Sequence, residues 1–99
     1  MKILYSEDKK HLTVILDEAF DNESNESFRE LYAIKKPGIK FIIDFKNVKH
    51  MTSSSFGMLL VFRERNEIIE KEDIRLINCN DGIKKLFEMA NFQKLFMIS

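Results

Sequence analysis

Ninety-nine residues, 44% of them hydrophobic and 32% charged, suffice for one modest core and stand far from the composition of disordered chains. Sixteen basic residues balance sixteen acidic ones and interleave with them. The basic surplus on which nucleic-acid affinity rests is therefore missing, and no DNA or RNA partner is expected. No apolar run reaches membrane-spanning length and MKILYSEDKK lacks a signal-peptide core, so no membrane partner is expected and the chain reads as cytoplasmic. Cys79 is the one cysteine, which excludes an internal disulfide, and the two widely spaced histidines offer no metal constellation. No metal or cofactor is expected.

The chain opens with two short apolar stretches, KILYS at 2–6 and HLTVIL at 11–16, joined by the polar tetrapeptide Glu7-Asp8-Lys9-Lys10. This is the pattern of a β-hairpin. Residues 17–27 are polar, with Asp21, Asn22, Ser24 and Asn25 all able to cap a helix carrying Phe28, Leu31 and Tyr32. That helix, of about ten residues, should stop before Pro37-Gly38. Residues 39–45, IKFIIDF, are short, apolar and β-branched, as in a strand covered on both faces. After a loop at 46–51, a helical pattern runs from about 53 to 71, a strand occupies 74–77 (IRLI), and an amphipathic helix spans 81–90. The apolar tail at 92–98 reads as a helical turn plus an extended piece. The order is β-β-α-β-α-β-α, and strands separated by helices imply parallel pairing with an antiparallel hairpin edge. The expectation is one α/β domain over residues 1–99, with a four- to five-stranded mixed sheet and helices packed mainly on one face.

Four hydroxyl residues, Thr52, Ser53, Ser54 and Ser55, open the second helix. Hydroxyl oxygens suit a helix N-terminus because they accept from its unpaired first-turn N–H groups. With Thr52 as the cap, Met51 and Phe56 occupy the positions of a hydrophobic staple. One good cap needs one or two such residues, so four also fit an anion or phosphorylation site, where a phosphate meets the helix dipole and free amides. Gly57 costs the helix roughly 1 kcal/mol relative to alanine, which suggests close backbone packing against the sheet. Residues 58–62, MLLVF, are apolar all round. The face turned away from the sheet is covered by a neighbouring helix or offered to a partner.

The stretch Ile42-Ile43-Asp44-Phe45, then Val48, then Met51 through Leu60 resembles the signature of STAS domains, an apolar strand ending in Asp-Leu followed by Asp-Ser-Ser-Gly-Leu-Gly and an apolar helix. Val14-Ile15-Leu16 with Asp21, Ile74 through Asn78, and Ile83 through Ile98 resemble the flanking elements in the right order, so the resemblance covers nearly the whole chain. It implies a bacterial anti-sigma factor antagonist, a protein-binding module and not an enzyme. The implied partners are an anti-sigma factor that is also a serine protein kinase and a PP2C-type phosphatase that reverses its action. Carried over by position, the phosphoacceptor is Ser53, with Ser54 the alternate. The partner-binding residues are Asp21, Asn22, Thr52, Ser53, Ser54, Ser55, Phe56 and Met58. Thr52 stands where the family usually has Asp, and Ser55 where it often has Gly.

Two rival readings use the same residues. A serine hydrolase would draw on His50 and Asp44, but the chain has no G-x-S-x-G elbow. A constitutive scaffold would keep the fold, use the hydroxyls purely as caps, and have no phosphoswitch.

Overall fold

The computed structural model describes residues 1–34 and 38–99; the expected stop at Pro37 lies outside the described residues. Strands β1 (Lys2–Tyr5), β2 (His11–Ile15), β4 (Lys40–Asp44), β6 (Ile74–Ile77) and β7 (Met97–Ile98) form a five-stranded mixed sheet in the order β1-β2-β4-β6-β7. β1 runs antiparallel to β2, and every other pair is parallel. A separate two-stranded parallel ladder joins β3 (Ala19–Phe20) to β5 (His50–Met51). The helices are α1 (Asn25–Arg29), flanked by 3₁₀ turns at Asn22–Ser24 and Glu30–Ala33, α2 (Ser53–Arg65) and α3 (Asp81–Met89).

The hairpin forms as its polar tetrapeptide implies. Lys9 takes the left-handed backbone (φ 58°), and its N–H donates to the Ser6 carbonyl at 2.9 Å. Period-two alternation then decides which side of the sheet is buried. Leu12, Val14, Phe41, Ile43, Ile74 and Leu76 lie on one face at 0–3% exposure, whereas Thr13, Ile42 and Ile77 on the other are half-buried and Arg75 is exposed. The helices cover one face, and β4 is not enclosed on both sides as its near-continuous apolarity suggests.

All nine phenylalanines take part in ring contacts. Phe62 of α2 meets Phe41 of β4 edge-on at 4.9 Å and Phe28 of α1 at 5.5 Å. Phe45, just past β4, meets Phe20 on one side and Phe87 of α3 on the other. One aromatic network therefore ties all three helices to the sheet.

Helix α2 departs from the sequence pattern in two ways. It ends at Arg65, six residues before Lys71, because the buried Asn66 side chain donates to the carbonyls of Leu31 and Phe62 and Glu67 turns left-handed (φ 56°). Gly57, expected against the sheet, lies on the exposed side of α2, with nothing within 4 Å of where a Cβ would stand. The sheet-facing positions are Ser55, Met58, Leu59 and Phe62, so the close contact belongs to them.

Ser55 is fully buried and its hydroxyl donates to the Phe20 carbonyl, fastening α2 to β3. Three stability outcomes follow, each readable by urea denaturation. Phe62→Ala should cost about 3–5 kcal/mol, the usual penalty for emptying a buried aromatic site. Ser55→Ala, which strips a buried carbonyl of its donor, should cost about 1–3 kcal/mol. Gly57→Ala should leave the fold intact and add up to about 1 kcal/mol, since it improves helix propensity in open space.

Candidate functional site

The site is built at the carboxyl ends of the parallel strands. The Asp44 carboxylate, buried at the end of β4, accepts from the Lys46 amide at 2.8 Å and from the Asn78 side-chain amide at 3.0 Å. It thus fixes the exit from β4 to the end of β6. The chain turns inward at the buried Val48 and reaches β5, whose register pairs Ala19 with His50 and Phe20 with Met51. Because the ladder is parallel, the next residues on each side, Asp21 and Thr52, leave it together.

Each hydroxyl of the Thr52–Ser55 run has a different task. Thr52 occupies the cap position with extended backbone (φ −111°, ψ 169°), and its carbonyl accepts from the Ser55 amide at 3.0 Å. Its hydroxyl caps no amide, contrary to expectation; it shares a 2.7 Å hydrogen bond with the Ser54 hydroxyl. Ser55, expected at a partner surface, is sealed in the core. Ser53 is exposed at the first position of α2, and among the described residues its hydroxyl makes no hydrogen bond. No acidic side chain stands in the first turn of α2, so nothing there offsets the positive end of the helix dipole.

The acidic loop facing this turn is organised from within. The Asp21 carboxylate accepts from the Glu23 amide at 3.0 Å, the Asp21 amide donates to the Ser24 hydroxyl at 3.3 Å, and Ser24 donates to the Ala19 carbonyl at 3.1 Å. Asn22, the next residue, shares with Ser54 and Met58 a groove between α1 and α2. Met58 is its nearly buried floor, whereas Phe56 points away, half-buried, with its ring against Phe87 and Phe92. The expected site residues therefore divide. Asn22, Ser54 and Met58 converge on the groove, Asp21 and Thr52 on its head, and Ser55 and Phe56 on the interior.

The groove also contains residues that were not expected at a partner site, namely Asn25, Arg29 and Tyr32 on one wall and Gly57, Val61 and Arg65 on the other. The Tyr32 hydroxyl lies 3.4 Å from Asn25 Oδ1, and burial pushes its pKa up, against the opposing pull of Arg29 and Arg65. The phenol stays neutral at physiological pH. Tyr32 and Arg29 follow the expected helix by one-turn spacing from Phe28 and Asn25, so helical periodicity was the signal that could have found them.

The hydrolase geometry does not form. His50 sits exposed on β5, Asp44 spends its carboxylate on Lys46 and Asn78, and neither bonds to Ser53. Burial pushes the Cys79 thiol up to about 11, which keeps it protonated and unreactive at neutral pH. Among the described residues no group of His, Cys, Asp and Glu could hold a metal ion, and no helix is long and apolar enough to cross a membrane.

Comparison with known proteins places this geometry. No family model matches the chain. A STAS-domain containing protein of Pseudomonas aeruginosa (strain UCBPP-PA14) is 32% identical over 97 residues, which span 97% of this chain and 95% of the relative. The anti-sigma factor antagonist SpoIIAA in its unphosphorylated form superposes with a TM-score of 0.73 at 18% identity, covering 99% of this chain and 86% of that one. The phosphorylated form of SpoIIAA, a Bacillus cell fate determinant, gives 0.67 at 19% identity, over 99% and 89% of the two chains. A putative anti-sigma factor antagonist of Thermotoga maritima gives 0.78 at 13% identity, covering 98% of this chain and 83% of that one. The mixed sheet with its one-sided helices is thus a fold shared with these proteins, and the chain belongs to the STAS-domain family.

Proposed function

We propose that residues 1–99 act as one cytoplasmic STAS domain that serves as an anti-sigma factor antagonist. It binds an anti-sigma factor that is also a serine protein kinase, and phosphorylation of Ser53 dissolves the complex. A PP2C-type phosphatase restores the binding state. The observation that carries this reading is the exposed Ser53 hydroxyl, without a hydrogen bond among the described residues, at the first position of a helix whose opening turn has no acidic residue.

Phosphate there adds about 1.5–2 negative charges and three acceptor oxygens. The dipole and free amides of α2 stabilise that charge within the molecule, so the fold tolerates it. The partner meets an altered surface at Asp21, Asn22, Thr52, Ser54 and Met58. Likeness of fold to SpoIIAA, known in both unphosphorylated and phosphorylated forms, supports the assignment. Ser54 is the weaker acceptor because its hydroxyl is half-buried and engaged with Thr52. Thr52 in place of the family's usual Asp leaves the acceptor without a neighbouring carboxylate, which lowers the repulsion that phosphate entry must overcome.

The test uses the organism's purified anti-sigma factor kinase, ATP and phosphopeptide mass spectrometry. Phosphate should appear at Ser53 and vanish in Ser53→Ala. By titration calorimetry Ser53→Ala should bind the kinase as the wild type does, and Ser53→Asp at least about tenfold more weakly, a loss of about 1.4 kcal/mol. Wild-type affinity in both variants, with residues 52–55 unmodified, would establish a constitutive scaffold instead.

A further inference from the structure

A glycine inside a helix is less stable than an alanine there, so its presence asks for a close neighbour. Gly57 has none within the fold. Apart from its own helical turn, nothing among the described residues lies within 4 Å of where its Cβ would stand. The residue is exposed and lines the groove between α1 and α2. Its missing side chain therefore widens that groove and leaves the core unchanged.

Two stripes at helical spacing bound the groove. Ser54, Met58, Val61 and Arg65 succeed one another along α2 at steps of three or four residues. Asn22, Asn25, Arg29 and Tyr32 do the same along α1 and its flanking 3₁₀ turns. From Ser54 to Arg65 the α2 stripe rises about 16 Å, or about three turns of helix. Its middle is apolar, with Met58 nearly buried and Val61 half-buried, and the half-buried Tyr32 stands on the other wall.

Charge in the groove is one-sided. The chain balances sixteen basic residues against sixteen acidic ones, yet among the described residues two arginines and no carboxylate line this groove. Arg29 and Arg65 stand exposed on opposite walls, and neither has an ion pair among the described residues. Both act electrostatically on the Tyr32 phenol, so their guanidinium groups converge on the same end.

We infer that this groove receives an amphipathic α-helix of the anti-sigma factor kinase, with its apolar face on Met58 and Val61, its backbone close against Gly57, and carboxylates at one end held between Arg29 and Arg65. The identity of the partner rests on the reading of the chain as an anti-sigma factor antagonist; the helix and its acidity follow from the groove. Apolar anchors at steps of three and four are how a helix is read by a groove with helical walls. Glycine at the contact lets two helix axes approach to about 8 Å, the short end of the usual range. The planar guanidinium groups offer paired donors that match carboxylate geometry. A second copy presenting the same face would set arginine against arginine, so charge selects an acidic partner.

Titration calorimetry with the organism's purified kinase and the full chain tests this. Gly57→Leu, whose side chain enters open space, should keep the wild-type circular dichroism yet bind the kinase at least about tenfold more weakly. The double variant Arg29→Gln/Arg65→Gln should lose about tenfold and, unlike the wild type, hold a nearly constant affinity between about 50 mM and about 300 mM NaCl. Arg75→Gln, which removes the same charge from the sheet face turned away from the helices, should bind as the wild type does. Hydrogen exchange in the complex should slow in one acidic helix of the kinase. Full affinity in Gly57→Leu or in the double variant, an equal loss in Arg75→Gln, or slowing confined to strands or loops of the kinase would overturn the inference while control by Ser53 still stood. A groove variant that abolishes self-association in sedimentation instead would give the groove to a second copy and also overturn it. A wild-type chain that does not bind the kinase would remove both readings together.

Discussion

Packing of nine phenylalanines against a one-sided sheet is the constraint on which this protein depends. Their rings run from Phe28 through Phe20, Phe45 and Phe87 to Phe92 and Phe96, with Phe62 and Phe41 branching under α2. Aromatic side chains combine large buried area with directional edge contacts, so they fix orientation as well as contribute stability. Two of them matter most to function. Phe20 carries the acidic loop and supplies the carbonyl that holds Ser55, while Phe45 marks the point where β4 gives way to the turn before α2. The tip is held in place because Phe20, which ends β3, and Phe45, which precedes the turn to β5, both sit in the aromatic core.

That anchoring explains why four adjacent hydroxyls are not redundant. A helix start needs few capping atoms, and here the first turn is secured by the Thr52 carbonyl and by Ser55 from inside. Thr52 and Ser54 occupy each other. Structure thus absorbs three hydroxyls and leaves one exposed. In the proposed switch a phosphate on Ser53 would meet a surface already held in place, so its effect would be electrostatic and steric toward a partner, with little claim on the fold.

Much of this was legible in the sequence because it follows from local rules. The hairpin, the parallel β-α-β order and the start of α2 are written in alternation, helix spacing and capping residues, and the structure carries them. The rest depends on contacts distant in sequence. β3 and β5 have two residues each, too few for any periodicity, and exist because Phe20 and Met51 pair across thirty-one positions. The end of α2 is set by Asn66 reaching the Leu31 carbonyl, while Glu67, Ile68 and Ile69 continue a pattern that reads as helix. Gly57 misleads for a related reason. A helical glycine signals that something approaches the backbone, and among the described residues nothing does; Gly57 instead lines an open groove between α1 and α2.

The electrostatics of the tip follow from the same geometry. Overall the chain is neutral, so no long-range field steers a partner, and selection falls to local charge. Arg29 and Arg65 lie at one end of the groove and the uncompensated N-terminus of α2 at the other, while Asp21 leaves β3 beside Thr52. A partner's carboxylates would meet Arg29 and Arg65 at one end of this groove and the N-terminal amides of α2, beside Asp21, at the other. Phosphate on Ser53 would reverse one end alone, at the position where the helix dipole best tolerates it. In the proposed switch the negative charge that releases the partner is therefore stabilised by the same amides that the partner's carboxylates would otherwise use.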